Sequence, residues 1–167
     1  MNRILLLFAT LFVFGLQAIS AQDDPLTIET GHPDLSVKIK RCVASGKTII
    51  IDAILKNMGD SEKNIEIWTM QTGNMEPHSS AYDDEGNTCQ PCKNGKNIWV
   101  AVGRIPSDGD WKTGSFKLIP NIPTKVSFKI VGMPNSAQYL SLFDFDVRGD
   151  YNLDERVKMT NIPISRD

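Results

Sequence analysis

Cysteine and histidine are scarce in these 167 residues: Cys42, Cys89 and Cys92, with His32 and His78. That is too few cysteines for a dense disulfide framework, and at this length none is needed. A domain of this size buries roughly 68–70% of its unfolded surface and builds its core without staples. Strong charge of one sign is also missing, with 18 basic against 20 acidic side chains and a formal net charge of −2. The lysines alternate with apolar residues instead of clustering, which argues against nucleic-acid binding by phosphate neutralisation. After residue 21 there is no apolar run of membrane length and no convincing helical periodicity.

One apolar run is present, and it lies at the start. Arg3 precedes Ile4 to Phe14, and the small residues Ala18, Ser20 and Ala21 follow. This order of charge, apolar core and small residues reads as a secretory signal peptide over residues 1–21, too short in its core to span a bilayer. Cleavage is expected near Ala21 or Gln22, giving a mature charge of −3 after loss of Arg3. No Cys sits at that junction, so a lipid anchor is not indicated. The expected setting is periplasmic or secreted, with no membrane insertion once the signal is removed.

Residues 22–33 form a lead-in with a short strand expected around Leu26–Ile28, and residues 34–167 read as one domain. Leu35, Val37 and Ile39 alternate with Ser36, Lys38 and Lys40, and Val126, Phe128 and Ile130 alternate with Lys125, Ser127 and Lys129. Period two is the signature of half-buried strands. In 48–56, Ile50 and Ile54 stand opposite Ile49, Ile51, Ala53 and Leu55, so that strand is expected to be covered on both sides. Further strands are expected at 64–69, 97–103, 115–118, 139–147 and 156–164, with 71–97 as the least regular stretch. Nine prolines and twelve glycines punctuate the chain. The pattern specifies an all-β, antiparallel sandwich of about seven to nine strands, with a closed barrel as the alternative.

The segments Leu55-Lys56-Asn57-Met58-Gly59, Tyr82-Asp83-Asp84-Glu85-Gly86-Asn87 and Phe128 to Pro134, with the strand from Leu140 to Phe145, lie in an order that resembles secreted immunoglobulin-like domains of the immunoprotective-extracellular type. The resemblance implies an immunoglobulin-like fold over about residues 34–164 and an extracytoplasmic setting; it brings no catalytic residues. The Cys–Trp–Cys arrangement of antibody domains is not matched.

Cys89-Gln90-Pro91-Cys92 is the sharpest local motif. Redox catalysis requires its first thiol at a helix N-terminus inside a βαβ unit. Here a turn-like Lys93-Asn94-Gly95 follows, so a structural disulfide between Cys89 and Cys92 is the preferred reading. That small loop is worth roughly 2 kcal/mol, against roughly 4 kcal/mol for a bridge to Cys42. Cys42 is out of phase with Leu35, Val37 and Ile39 and is expected to be free near a strand end. A zinc set of Cys42, Cys89, Cys92 and His78 has only one tightly spaced pair and is not favoured.

Carboxylates recur at Asp83, Asp84 and Glu85 and at Asp144, Asp146, Asp150 and Asp154, without the alternating spacing of an EF-hand loop. Arg148-Gly149-Asp150 matches an adhesion tripeptide but equally makes a polar turn. No nucleophile elbow accompanies His78. Trp111, in Ser107-Asp108-Gly109-Asp110-Trp111, is an aromatic in a polar loop, suited either to anchoring a partner or to folding back on the domain. These features favour an exported non-enzymatic binding or structural module of the cell envelope with a protein or glycan ligand and no cofactor. Loops carry the specificity, with Asp83, Asp84, Asp108, Asp110 and Trp111 as candidates. The competing readings are a calcium-dependent adhesion or carbohydrate-binding module, and a thiol-redox or metal-dependent enzyme using Cys89 and Cys92.

Overall fold

A computed structural model describes residues 24–70, 76–91, 98–150 and 155–166. The signal segment 1–21, Cys92 and Asp154 lie outside these residues. Twelve strands and no helix are found among the described residues: β1 (Thr27–Glu29), β2 (Leu35–Ser45), β3 (Thr48–Asn57), β4 (Lys63–Trp68), β5 (Ser79–Asp83), β6 (Thr88–Cys89), β7 (Ile98–Val102), β8 (Phe116–Leu118), β9 (Thr124–Val131), β10 (Tyr139–Gly149), β11 (Glu155–Pro163) and β12 (Ser165–Arg166). They form two sheets. The larger runs β1-β11-β10-β4-β8, with β5 on β10 and β6 on β5; the smaller runs β12-β2-β3-β9-β7. All pairings are antiparallel except β12 on β2.

The sheets share one core. Phe128 of β9 meets Phe143 of β10 edge-on at 5.0 Å and Phe145 at 4.6 Å between ring centroids, all three fully buried. Ile49, Ile51 and Leu55 of β3 join them, with Ile65 and Ile67 of β4 and Val157 and Met159 of β11. These are the inward positions of the period-two pattern, so the alternation in the sequence is the alternation of the core.

Four expectations need correction. The strand count exceeds nine because β5, β6 and β12 carry no readable alternation, β6 and β12 being only two residues long. The irregular stretch 71–97 contains β5 and β6, whose residues are mostly small or polar. Cys42 is buried, because the β2–β3 register shifts between Ile39 and Arg41. That extra residue reverses the alternation and turns Cys42 and Ala44 inward; burial pushes the Cys42 thiol up to about 12. Finally, no layer among the described residues covers Ile50 and Ile54. They are half-buried because Lys38 and Lys125 flank Ile54 across the strands, and Val43 and Lys129 flank Ile50, where lysine stems lie along apolar surface.

On the same outer face Asp52 is buried. Its carboxylate accepts from Arg41 Nε at 2.6 Å and Ser127 Oγ at 2.5 Å, with Lys125 Nζ at 3.0 Å. Burial alone would raise its pKa; the bonds from Ser127, Lys125 and Arg41 outweigh it and hold the group below the ordinary carboxylate value. A lowered pKa contributes stability above the ordinary range that is lost as pH falls through the folded-state value. Asp52→Asn should therefore lower stability by about 2–3 kcal/mol at neutral pH. It should also lose less than the parent on acidification below about pH 4, as urea midpoints across pH will show.

Candidate functional site

The site is built where the edges of the two sheets meet. β7 ends the smaller sheet and β8 the larger one, and residues 110–113 run between β7 and β4 and bond to both. The Val100 N–H donates to Asp110 O at 2.7 Å, the Thr69 N–H to Trp111 O at 3.0 Å, and the Thr113 N–H to Ile67 O at 2.9 Å. The Ile67 N–H returns a bond to Thr113 Oγ1 at 2.7 Å, and Thr69 Oγ1 donates to Ile98 O. These bonds close one stretch of the seam. Beside it the edges leave a cleft of about 390 Å³ whose lining includes Val100, Val102, Phe116, Arg104, Asp110 and Lys112. Volumes of this order hold small ligands.

The loop over the cleft is fixed by its own chemistry. Gly109 takes φ +98°, a conformation costly for any side chain. Asp110 accepts both terminal nitrogens of Arg104, at 2.6 and 2.9 Å, and the Ser107 N–H and hydroxyl at 2.7 and 2.9 Å. Hydrogen bonding from Arg104, above all, holds the Asp110 carboxyl well below its usual range. Asp108 is exposed and pairs with Lys129 at 3.0 Å. Trp111 is half-buried, its ring 5.8 Å from that of Trp68.

Trp68 is the centre of a second, continuous cluster on the outer face of the larger sheet. Register places Arg156 of β11, Asp146 of β10 and Trp68 of β4 in one cross-strand row that a bridge extends to Lys112. Lys112 Nζ lies 4.7 Å from the Trp68 ring centroid and 5.2 Å from that of Trp111, and Arg148 Cζ lies 4.7 Å from Trp68. The Trp68 indole N–H donates to Glu66 Oε2 at 2.9 Å. His78 packs edge-on to Trp68 at 5.8 Å, with its Nδ1 2.5 Å from Asp146 Oδ2. Asp144 is buried beside them; its Oδ1 accepts the Ser80 N–H and hydroxyl, and Arg156 Nε is 3.5 Å from Oδ2. Burial raises its pKa, which the Ser80 bonds and Arg156 only partly offset.

β4 and β5 share one edge of β10 in succession, which brings His78 there. The His78 N–H donates to Met70 O at 3.1 Å, and its carbonyl accepts from the Asp146 N–H at 2.9 Å.

The other candidates lie apart from this seam. Asp83 is buried and accepts the Glu85 and Asn87 N–H groups at 3.0 and 2.7 Å, bracing its own turn. Asp84 accepts the Gln138 N–H at 3.1 Å. Cys89 faces the core with Sγ 3.3 Å from Val131 O, and burial pushes its thiol up to about 11, opposite to the shift redox catalysis requires. Its proposed partner Cys92 is outside the described residues. Cys42 and Cys89 face the core while His78 faces the outer surface, so these three do not converge as a ligand set. In Arg148-Gly149-Asp150 the first two residues end β10, and Asp150 Oδ2 accepts the Asn64 N–H at 2.7 Å, so the tripeptide is a strand end. Of the loop residues singled out from the sequence, Asp110 lines the cleft, Asp108 pairs with Lys129 and Trp111 lies near Trp68. Asp144, Asp146, Arg148 and His78 stood out one by one, but their meeting with Trp68 and Lys112 was not legible, because residues from 66 to 156 come together there through strand register.

No family model and no curated protein matches the chain. Among solved structures, the N-terminal domain of PorA is similar over 86% of this chain and 98% of its own, at 10% identity and a TM-score of 0.39. A family 123 glycoside hydrolase from Clostridium perfringens is similar over 79% of this chain, at 13% identity and a TM-score of 0.38. The chain spans 27% of that hydrolase.

Proposed function

We propose that the protein is an exported, non-enzymatic binding module of the cell envelope, an immunoglobulin-like sandwich that holds a saccharide ligand in the cleft between β7 and β8. The cleft carries this reading: the apolar side chains of Val100, Val102 and Phe116 line it together with the polar groups of Arg104, Asp110 and Lys112. That combination supplies both contact area and orientation. Trp111, beside Lys112, adds an aromatic of the kind that stacks on sugars. The export element of the proposal rests on the charged, apolar and small-residue order of residues 1–21.

Gly114 gives a clean test. It lines the cleft, and a Cβ placed there meets nothing within 4 Å. Gly114→Trp should leave the melting temperature within a few degrees of the parent while filling the space. On an array of neutral and acidic saccharides the parent should bind a defined subset, and Gly114→Trp should bind it at least about tenfold more weakly. An array that the parent leaves blank, or identical binding by the two proteins, rejects the cleft.

A further inference from the structure

We propose that the ligand carries an anionic group, a uronate carboxylate or a sulfate ester on a saccharide, recognised by Lys112 and Arg148, which both lie against Trp68. This rests on the cleft reading and names its ligand class.

Most of the side chains around the seam are neutralised in place. Arg104 is held by Asp110, Lys129 by Asp108, and Arg156 by Asp144 and Asp146. Lys112 and Arg148 differ. Among the described residues no carboxylate lies within ion-pairing distance of either, although Glu66 is the direct cross-strand neighbour of Arg148. Glu66 instead takes the indole N–H of Trp68. Among the described residues the buried Arg148 Nε has no hydrogen-bond partner, and Nη2 lies 3.4 and 3.5 Å from the His78 ring nitrogens.

Both cations lie 4.7 Å from the same ring centroid, so they stand within twice that distance of each other. Two like charges gathered this way repel, and the indole ring, with the single Glu66 carboxylate on its N–H, compensates only part of that repulsion. An anion compensates the rest. Arginine stacked on an aromatic keeps its planar fork for a carboxylate or sulfate, and a mobile lysine adds a point charge. Lys112 also lines the cleft and contacts Trp111, so the charged group and the body of one ligand are within reach of a single side chain. A saccharide is favoured over an acidic peptide because two half-buried tryptophans border the cations.

The test is affinity electrophoresis of the full mature protein in gels containing polygalacturonate, dextran sulfate, neutral dextran or poly-glutamate. Both acidic polysaccharides should retard the parent, neutral dextran much less, and added salt should weaken the effect. Retardation by only one of the two acidic gels identifies the group as carboxylate or sulfate. Arg148→Gln and Lys112→Gln should each weaken binding about tenfold or more, with Arg148→Lys between Gln and the parent. Lys112 is exposed, so its variant folds whatever happens at Arg148. Equal retardation by neutral dextran that Gly114→Trp abolishes overturns the anion and leaves the cleft standing. Equal retardation by poly-glutamate overturns the saccharide. Unchanged binding in Lys112→Gln overturns the assignment to these cations, and no retardation in any gel overturns the anion, while the cleft falls only if the saccharide array is blank or Gly114→Trp binds it as the parent does.

Discussion

Phe128→Ala is expected to destabilise the domain by about 3–5 kcal/mol, the range of large aromatic deletions in cores. Phe128 is fully buried, and both rings it touches come from the opposite sheet. Removing it therefore opens a void at the contact between the sheets, where backbone ladders on both sides resist collapse. Urea unfolding followed by far-ultraviolet circular dichroism should show a lower midpoint at unchanged slope. A loss below 1 kcal/mol would mean that the sheets do not meet through this side chain.

Gly149→Ala is expected to be comparably damaging for a different reason. Gly149 ends β10 at φ +118°, and an added Cβ would lie 2.1 Å from Asn64 O and 3.0 Å from Ile65 Cα. The strained dihedral and the forced separation of β4 from β10 together give about 3 kcal/mol or more. Gly46→Ala is the control. Its φ is +54° but a Cβ there meets nothing within 4 Å, so only about 1 kcal/mol is at stake. Thermal melts of the two variants should separate clearly; equal shifts would remove the steric argument.

Where alternation was regular, the strands were legible before any coordinates. Val126, Phe128 and Ile130 read as one buried face, and they are one. Legibility failed where a local device interrupted the period. The irregularity near Lys40 put Cys42 inside. β5 went unread because Ser79, Ser80 and Asp83 are buried by hydrogen bonds, which leave no hydrophobic signal. The candidate site was legible only in its loop, where Trp111 stood out as an aromatic in a polar stretch with Asp108 and Asp110 beside it. Trp68 and Arg148 are strand residues 80 positions apart, and only the β4–β10 register brings them together.

The position of β11 has a consequence for how the molecule comes into being. β11 lies between β1 and β10, and β12 lies on β2 in the other sheet, so strands that follow residue 154 complete both layers. Contacts between β1 and β11 span well over a hundred residues, a long-range topology that disfavours rapid, local folding. A nascent chain ending before residue 155 has no partner for either β1 or the outer edge of β10, and must wait as an incomplete sheet. Late closure of this kind delays completion of the larger sheet until residues 155–163 are made. It also leaves the edge of β10 open to pairing with other chains until β11 arrives.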